Sequence, residues 1–297
     1  MVENNNNIEE LEGEAKILDG KMVSNLIRES IKEEVSILQS KGEIVALAIV
    51  SVGDDPSSKI YIRNKVKASK KVGIMSYVYD LPSDTSEDDL LKLLDELNLD
   101  DKIDGIIVQL PLPKHIDVFK VQEKIDYIKD VDAFSKVNMG LLMQGRAELK
   151  PCTPAGIIYL LDHYGIDLWA KRVCIVGYSN IVGKPLSIML SLRGATVTVC
   201  NSKTVDLPFH TRNSDIVIVA TGKSHLIKME HISKGAVVVD VGISRLDNGK
   251  IIGDVDFENV KSLASYITPV PGGIGPMTVA MLLQNTLRAH KLRINGE

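Results

Sequence analysis

Tyr61 and Lys65 stand four positions apart in the run SSKIYIRNKVKASKK, residues 57–71. That stretch reads as a helix, on which residues i and i+4 share a face and touch. A phenol and an ammonium so placed can converge on one substrate atom, and a lysine whose charge is made costly can carry a proton. The same pattern also describes a wetted helix whose lysine stems lie over apolar neighbours. The rest of the chain has to decide between the two.

A second kind of chemistry is offered by RVCIVGYSNIVGKP, which sets Gly177 directly after a strand and Gly183 at or near the start of a helix. A strand, a glycine turn and a helix N-terminus give a phosphate free N–H donors and a positive dipole end. The spacing is not G-x-G-x-x-G. The next strand ends in CNSKT, with Asn201, Ser202 and Lys203 and no carboxylate before Asp206. An acidic side chain there would favour NAD, so its absence favours NADP on charge grounds, with NAD as the alternative. The segment ITPVPGGIGPMT combines three prolines and three glycines in an uncharged run. Adjacent glycines permit close backbone approach while prolines stiffen the rest, so Pro271, Gly272 and Gly273 are expected to present backbone groups to a ligand.

These residues need a frame. From residue 19 to about 150, apolar runs (IVALAIVSVG, IMSYVY, GIIVQLPLP) alternate with helical segments, which predicts parallel strands and crossover helices. In LKPCTPAGI, Thr153 reads as an N-cap with Pro154 at the first helical position. Four further β-rich runs follow: RVCIVG, ATVTVC, DIVIVATG and GAVVVDVG. Two α/β domains are therefore expected, 1–150 and 151–275. The last helix, 276–297, has apolar residues on more than one face and is expected to return to the first domain.

Composition agrees with that frame and narrows the function. With 297 residues, 44% hydrophobic and only 4% aromatic, the chain suits two soluble α/β domains. A net charge of -4 leaves no footprint for nucleic acid, and no apolar run is long enough to span a bilayer. The acidic, Asn-rich start MVENNNNIEELEGE has no apolar signal region. It is expected to be a disordered tail on a cytoplasmic protein. Cys152, Cys174 and Cys200 show no Cys-x-x-Cys and read as small core fillers, and the six histidines have no ligand spacing. No metal is expected.

Taken together, YIRNK after SVGDDPSS, GIIVQLPLP, KDVDAF, PCTPAGI, GYSNIVGKP, DVGI and ITPVPGGIGPMTVAML resemble the methylenetetrahydrofolate dehydrogenase/methenyltetrahydrofolate cyclohydrolase family of the FolD type. The resemblance runs from about residue 17 to residue 292, with the motifs in family order. It implies two α/β domains facing across a cleft, the second Rossmann-like, and a homodimer formed through the nucleotide-binding domain. It implies oxidation of 5,10-methylenetetrahydrofolate with NADP, then hydrolysis of the methenyl product to 10-formyltetrahydrofolate.

By match to the motifs, Lys65 is the general acid/base, Tyr61 stacks on the folate, and Gln109 holds and tunes the lysine. Asp132 fixes the pterin, with Pro271, Gly272 and Gly273 also on the substrate side. The cofactor positions implied are Gly177, Ser179, Ile181, Ser202, Thr221, Gly222, Gly242 and Ile243. Neighbouring cations such as Arg63 and Lys67, together with burial, are expected to lower the Lys65 pKa.

Three positions depart from the pattern. Tyr178 stands where an arginine often holds the 2′-phosphate, Asn201 where histidine is frequent, and Ala133 where glycine is usual. Lys203 or Arg193 is available to supply the missing charge. Tyr-x-x-x-Lys also marks short-chain dehydrogenases, but there the glycine loop precedes the pair, and here it follows in another domain. A dehydrogenase without the hydrolytic activity and a non-catalytic folate- or nucleotide-binding relative are the remaining alternatives.

Overall fold

The computed structural model describes residues 14–246 and 249–295. The expected disordered tail lies outside the described residues. In chain order, β1 (Lys16–Ile17), α1 (Gly20–Ser40), β2 (Ala46–Val52), α2 (Pro56–Val72) and β3 (Met75–Leu81) come first. Next come α3 (Glu87–Leu99), β4 (Gly105–Val108), α4 (Val118–Lys124), α5 (Lys136–Met143) and α6 (Cys152–His163). Then β5 (Arg172–Val176), α7 (Gly183–Leu192), β6 (Thr196–Cys200), α8 (Leu207–Arg212), β7 (Ile216–Val219) and β8 (Val237–Asp240) follow. The chain closes with β9 (Ser244–Arg245), β10 (Ile251–Ile252), α9 (Phe257–Val260), β11 (Tyr266–Ile267) and α10 (Ile274–Asn295).

The chain forms two compact units. One comprises Gly20–Asp167, Ser179–Arg193 and the residues from Ile274 onward. Its three-stranded parallel sheet has the order β3-β2-β4. Every residue of β2 is buried, the mark of a parallel strand covered on both faces. Leu90, Leu94 and Leu97 of α3 close a core with Val50, Ile106 and Val108. Helix α3 starts where Ser86 accepts from the Asp89 amide, and acids at 87, 88 and 89 suit its dipole.

The other unit comprises the residues up to Asp19, Leu168–Tyr178 and Gly194–Gly273. Its six strands are all parallel, in the order β1-β11-β8-β7-β5-β6, with the short β9–β10 hairpin beside them. Short β-branched strands such as IVIV and VVVD are wholly buried. The strand order reverses at β5, whose neighbours are β6 and β7, the kind of switch point at which open α/β sheets take ligands.

This division differs from the 1–150 and 151–275 ranges read from sequence. The N-terminal segment joins the six-stranded unit, because β1 pairs with β11 (Lys16 with Tyr266). Helix α6 belongs with the three-stranded unit, because it packs against α10. Helix α6 also begins two residues earlier than expected, with Pro151 as its cap. The Thr153 hydroxyl makes no cap and instead bonds the Thr278 hydroxyl at 3.0 Å.

Helix α10 lies along α1 and α6. Its His290 is 1% exposed and bridges two acids, Asp104 at 3.0 Å through Nδ1 and Glu43 at 3.0 Å through Nε2. Arg293 Nε donates to the same Asp104 oxygen at 2.9 Å, and the Ala46 amide to its other oxygen at 2.7 Å. The bond to Asp104, above other influences, raises the His290 pKa. A raised histidine contributes stability that is full below its unfolded value of about 6.5 and fades as pH rises through the folded value. We expect His290→Ala to cost about 2 kcal/mol near pH 6 and less in alkali. Urea unfolding at both pH values checks this, and a loss independent of pH would contradict it.

Candidate active site

Helix α2 carries Tyr61 and Lys65. The Asp55 side chain accepts from the Ser58 amide at 2.7 Å, Pro56 sits at the first turn, and Gly73 ends the helix. Tyr61 is 47% exposed, while Lys65, one turn on, is half-buried. Lys65 Nζ donates to Gln109 Oε1 at 2.9 Å. Gln109 sits just past β4, held there because its amide continues the ladder to Val50 O at 2.8 Å. Its Nε2 donates to Leu110 O at 2.6 Å, which fixes the amide so that its oxygen faces the lysine.

Asp132 comes from the turn that follows β4's neighbouring segment. Asp130 bridges to Ile106, and its carboxylate accepts from the amides of Ala133 (3.0 Å) and Ser135 (2.7 Å) and from Asn138 Nδ2 (3.1 Å). Ala133 is thereby held at φ 58, the left-handed region that glycine enters freely. The departure from the usual glycine therefore leaves the turn in a glycine-like conformation.

The electrostatics are those of a desolvated charge pair. Burial lowers the Lys65 pKa, and the charge of the neighbouring Asp132 carboxylate opposes it. Arg63 and Lys67, expected to help, are not among the causes. Both are exposed, and water screens them. Burial pushes Asp132 up to about 6, against the pull of Lys65 and helped by the Asp130 charge.

Cys152, read from sequence as filler, belongs to this group. Its Sγ donates to Val131 O at 3.3 Å and lies 3.9 Å from Asp132 Oδ1, and burial drives its pKa well up. Asn285 of α10 donates to Val131 O and Lys150 O, both at 2.8 Å, and so fixes both flanks of the cysteine. Sequence reasoning missed Asp130 and Asn285 altogether; the only signal was their place beside the motifs KDVDAF and PMTVAMLLQN.

The remaining predicted residues fall elsewhere. Gly177 follows β5, Ser202 follows β6, Thr221 and Gly222 follow β7, and Gly242 and Ile243 follow β8. Pro271, Gly272 and Gly273 follow β11. All therefore lie beyond the carboxyl ends of five parallel strands of one sheet, where such sheets bind nucleotides. Ser179 and Ile181 lie in the segment leading to α7, which the contacts assign to the other unit. There the Val182 amide donates to Ser179 Oγ at 3.1 Å.

The sheet edge fits a dinucleotide with a 2′-phosphate. Gly177 has φ 123, and a Cβ on it would strike the Ala220 carbonyl, so only glycine passes between β5 and β7. After β6, the Asn201 side chain accepts from the Lys203 amide at 2.8 Å and the Asn201 amide donates to Thr204 Oγ1 at 2.9 Å, leaving Ser202 and Lys203 exposed. The first carboxylate, Asp206, is turned to the amide of Phe209 at the start of α8. Arg193, considered for the same phosphate, is paired instead with Asp162, at 2.7 and 2.9 Å. Among the described residues no group of three or more His, Cys, Asp or Glu side chains could hold a metal. No described helix is long and apolar enough to cross a membrane.

Comparison with known proteins bears on the same two regions. The profile of the tetrahydrofolate dehydrogenase/cyclohydrolase catalytic domain matches residues 18–132, and that of the tetrahydrofolate dehydrogenase/cyclohydrolase NAD(P)-binding domain matches residues 151–294. The bifunctional protein FolD of Aquifex aeolicus (strain VF5) is 58% identical over 279 residues, 93% of this chain and 96% of that protein. The crystal structure of the bifunctional FolD enzyme from Campylobacter jejuni superposes with a TM-score of 0.93 at 49% identity, covering 94% of this chain and 99% of that one. The Trypanosoma brucei enzyme, crystallised with NADP and an inhibitor, gives 0.91 at 37% identity over 95% and 99%.

Proposed function

The chain belongs to the tetrahydrofolate dehydrogenase/cyclohydrolase family, and from that premise we propose that it oxidises 5,10-methylenetetrahydrofolate with NADP and hydrolyses the methenyl product to 10-formyltetrahydrofolate. The observation that carries the reading is the half-buried Lys65 ammonium held on Gln109, with its pKa lowered by burial and the Asp132 charge opposing it. A non-catalytic binder has no use for so costly an arrangement.

NADP, when bound, supplies the acceptor for the hydride that leaves the bridging carbon. The residues that would hold it are Gly177, Ser179 and Ile181 at the phosphate turn, Ser202 with Lys203 at the 2′-phosphate, and Thr221, Gly222, Gly242 and Ile243 at the ends of β7 and β8. Tyr61 and Pro271, Gly272 and Gly273 offer the folate a ring face and backbone groups. The Asp132 carboxylate accepts two parallel bonds from the pterin's ring N–H and exocyclic amine.

Hydride loss leaves an amidinium-like cation. Water adds to its carbon, and neutral Lys65 takes the proton that water sheds. The resulting ammonium then protonates the ring nitrogen as the carbon–nitrogen bond to it breaks, and the amine so regenerated takes the remaining hydroxyl proton as the carbonyl forms, which leaves the formyl group on the other nitrogen and passes one proton to solvent. Gln109 Oε1 orients the amine through these transfers. Proton transfer by a positioned group needs a pKa near the working pH, which is what burial of Lys65 moves towards.

The same proposal includes a homodimer through the nucleotide-binding unit and a cytoplasmic location. Edge strand β6 is followed by Val205 and Phe209, 84% and 57% exposed, which favours an apolar contact there. Three free thiols suit a reducing compartment. Incubation with methylenetetrahydrofolate and either NADP or NAD tests the whole reading. Methenyl absorbance should rise and then decay, faster with NADP. A rise without decay removes the hydrolytic half, a clear NAD preference removes the charge argument, and no rise removes the enzyme.

A further inference from the structure

Beneath the ends of β7 and β8 lie two carboxylates that the mechanism does not use. Asp240, the last residue of β8, is 3% exposed, and Asp254, just past β10, is fully buried. Asp254 Oδ2 accepts from the Thr221 amide (2.6 Å), the Thr221 hydroxyl (2.9 Å) and the Gly222 amide (2.9 Å). Asp240 Oδ1 accepts from the amides of Gly242 (2.9 Å) and Asp254 (3.0 Å), and Oδ2 from that of Val255 (2.8 Å). The Asp240 amide is anchored in turn on Thr268 Oγ1 at 2.7 Å.

Two consequences follow from this wiring. The Thr221 and Gly222 amides are already spent on Asp254, so this part of the sheet edge has fewer donors left for a phosphate. Among the described residues, the hydrogen-bond partners of both carboxylates are backbone amides and a hydroxyl, none of them a cation. Their charge is therefore shared but not neutralised. Asp254 Oδ1 has no donor at all among the described residues and lies under Gly242, where an added Cβ would fall on the carboxylate. Burial lifts Asp240 only to about 6, which leaves it ionised at neutral pH.

In a doubly wound sheet the two halves of a dinucleotide lie on opposite sides of the switch strand. Strands β5 and β6 with their phosphate turn and exposed Ser202 serve the adenosine half, so β7 and β8 serve the nicotinamide half. On that basis, and resting on the function proposed above, we infer that Asp254, braced by Asp240, sets the cofactor's redox preference: its uncompensated charge favours the cationic, oxidised nicotinamide over the neutral, reduced one. Asp254 touches no reacting atom; it is a positioning residue that acts through the Thr221–Gly222 turn and through its field.

The test is binding alone, by calorimetry, with NADP+, NADPH and 2′-phospho-ADP-ribose, which lacks the nicotinamide ring. In Asp254→Asn, which changes one atom, the preference for NADP+ over NADPH should fall on the order of tenfold. Affinity for 2′-phospho-ADP-ribose should stay unchanged, which also reports that the unit is folded. Thr221→Val gives an independent result, because it leaves the carboxylate one donor fewer and should raise the preference for NADP+. An unchanged preference in Asp254→Asn, an equal loss of all three ligands, or a lowered preference in Thr221→Val overturns the inference while leaving the dinucleotide site standing. A parent protein that binds none of the three overturns both.

Discussion

Lys65→Met should reduce hydrolysis of methenyltetrahydrofolate by about 10²–10⁴-fold, the usual contribution of a positioned acid/base. Methionine keeps the length of the side chain and removes the one group that can accept water's proton. The loss should appear in kcat, since nothing places Lys65 against the cofactor, and NADP affinity should be unchanged. Gln109 would keep its bond to Leu110 O, so the end of β4 should not rearrange. Decay of methenyl absorbance with purified variant measures the effect; a rate equal to the parent's removes Lys65 from the mechanism.

The second large effect belongs to Asp132. A pair of hydrogen bonds to a charged acceptor contributes about 1.5–3 kcal/mol each, so Asp132→Asn should raise the KM for folate by roughly 10–100-fold after loss of one bond and of the charge. Cofactor affinity should stay the same. The pH dependence has a definite sign. Burial lifts Asp132 to about 6, so the carboxylate is lost as pH falls through that value rather than near 4. KM of the parent should therefore climb below pH 6, and the Asn variant should show no such climb. The folded state holds this proton more tightly than the unfolded chain, so ionisation between about pH 4 and 6 works against folding. The Asn variant should thus melt no lower than the parent at pH 7. Parallel KM profiles for the two proteins would place the pterin contact elsewhere.

Much of this arrangement could be read from the chain. Helix α2 was expected over 57–72 and starts at Pro56, because Asp55 and Pro56 are strong start signals and Gly73 a strong stop. The seven main strands were visible as short β-branched runs. The two-residue strands β1 and β11 were not, since Lys16–Ile17 and Tyr266–Ile267 are too short for any periodicity. Their pairing is what carries the N-terminal segment into the six-stranded unit, so the domain ranges drawn from sequence missed it.

At the site, the lysine and its amide partner were legible from spacing and motif. The electrostatics were not. Arg63 and Lys67 are near Lys65 in sequence but exposed, whereas Asp132 and Cys152, some 70 and 90 residues away, sit within reach of its charge. Linear distance hides both facts. The same holds for Asp240 and Asp254, whose role depends on which loops the sheet order brings together.

All of the proton chemistry depends on Lys65 giving up its charge more readily than a lysine in water. An NMR titration of protein labelled with ¹³C at the lysine ε carbon, with the Lys65 signal assigned by its absence from Lys65→Met, measures this directly. The account predicts a midpoint clearly below the ordinary lysine value of about 10.4. A midpoint at or above that value, in the free protein and with folate bound, would contradict it.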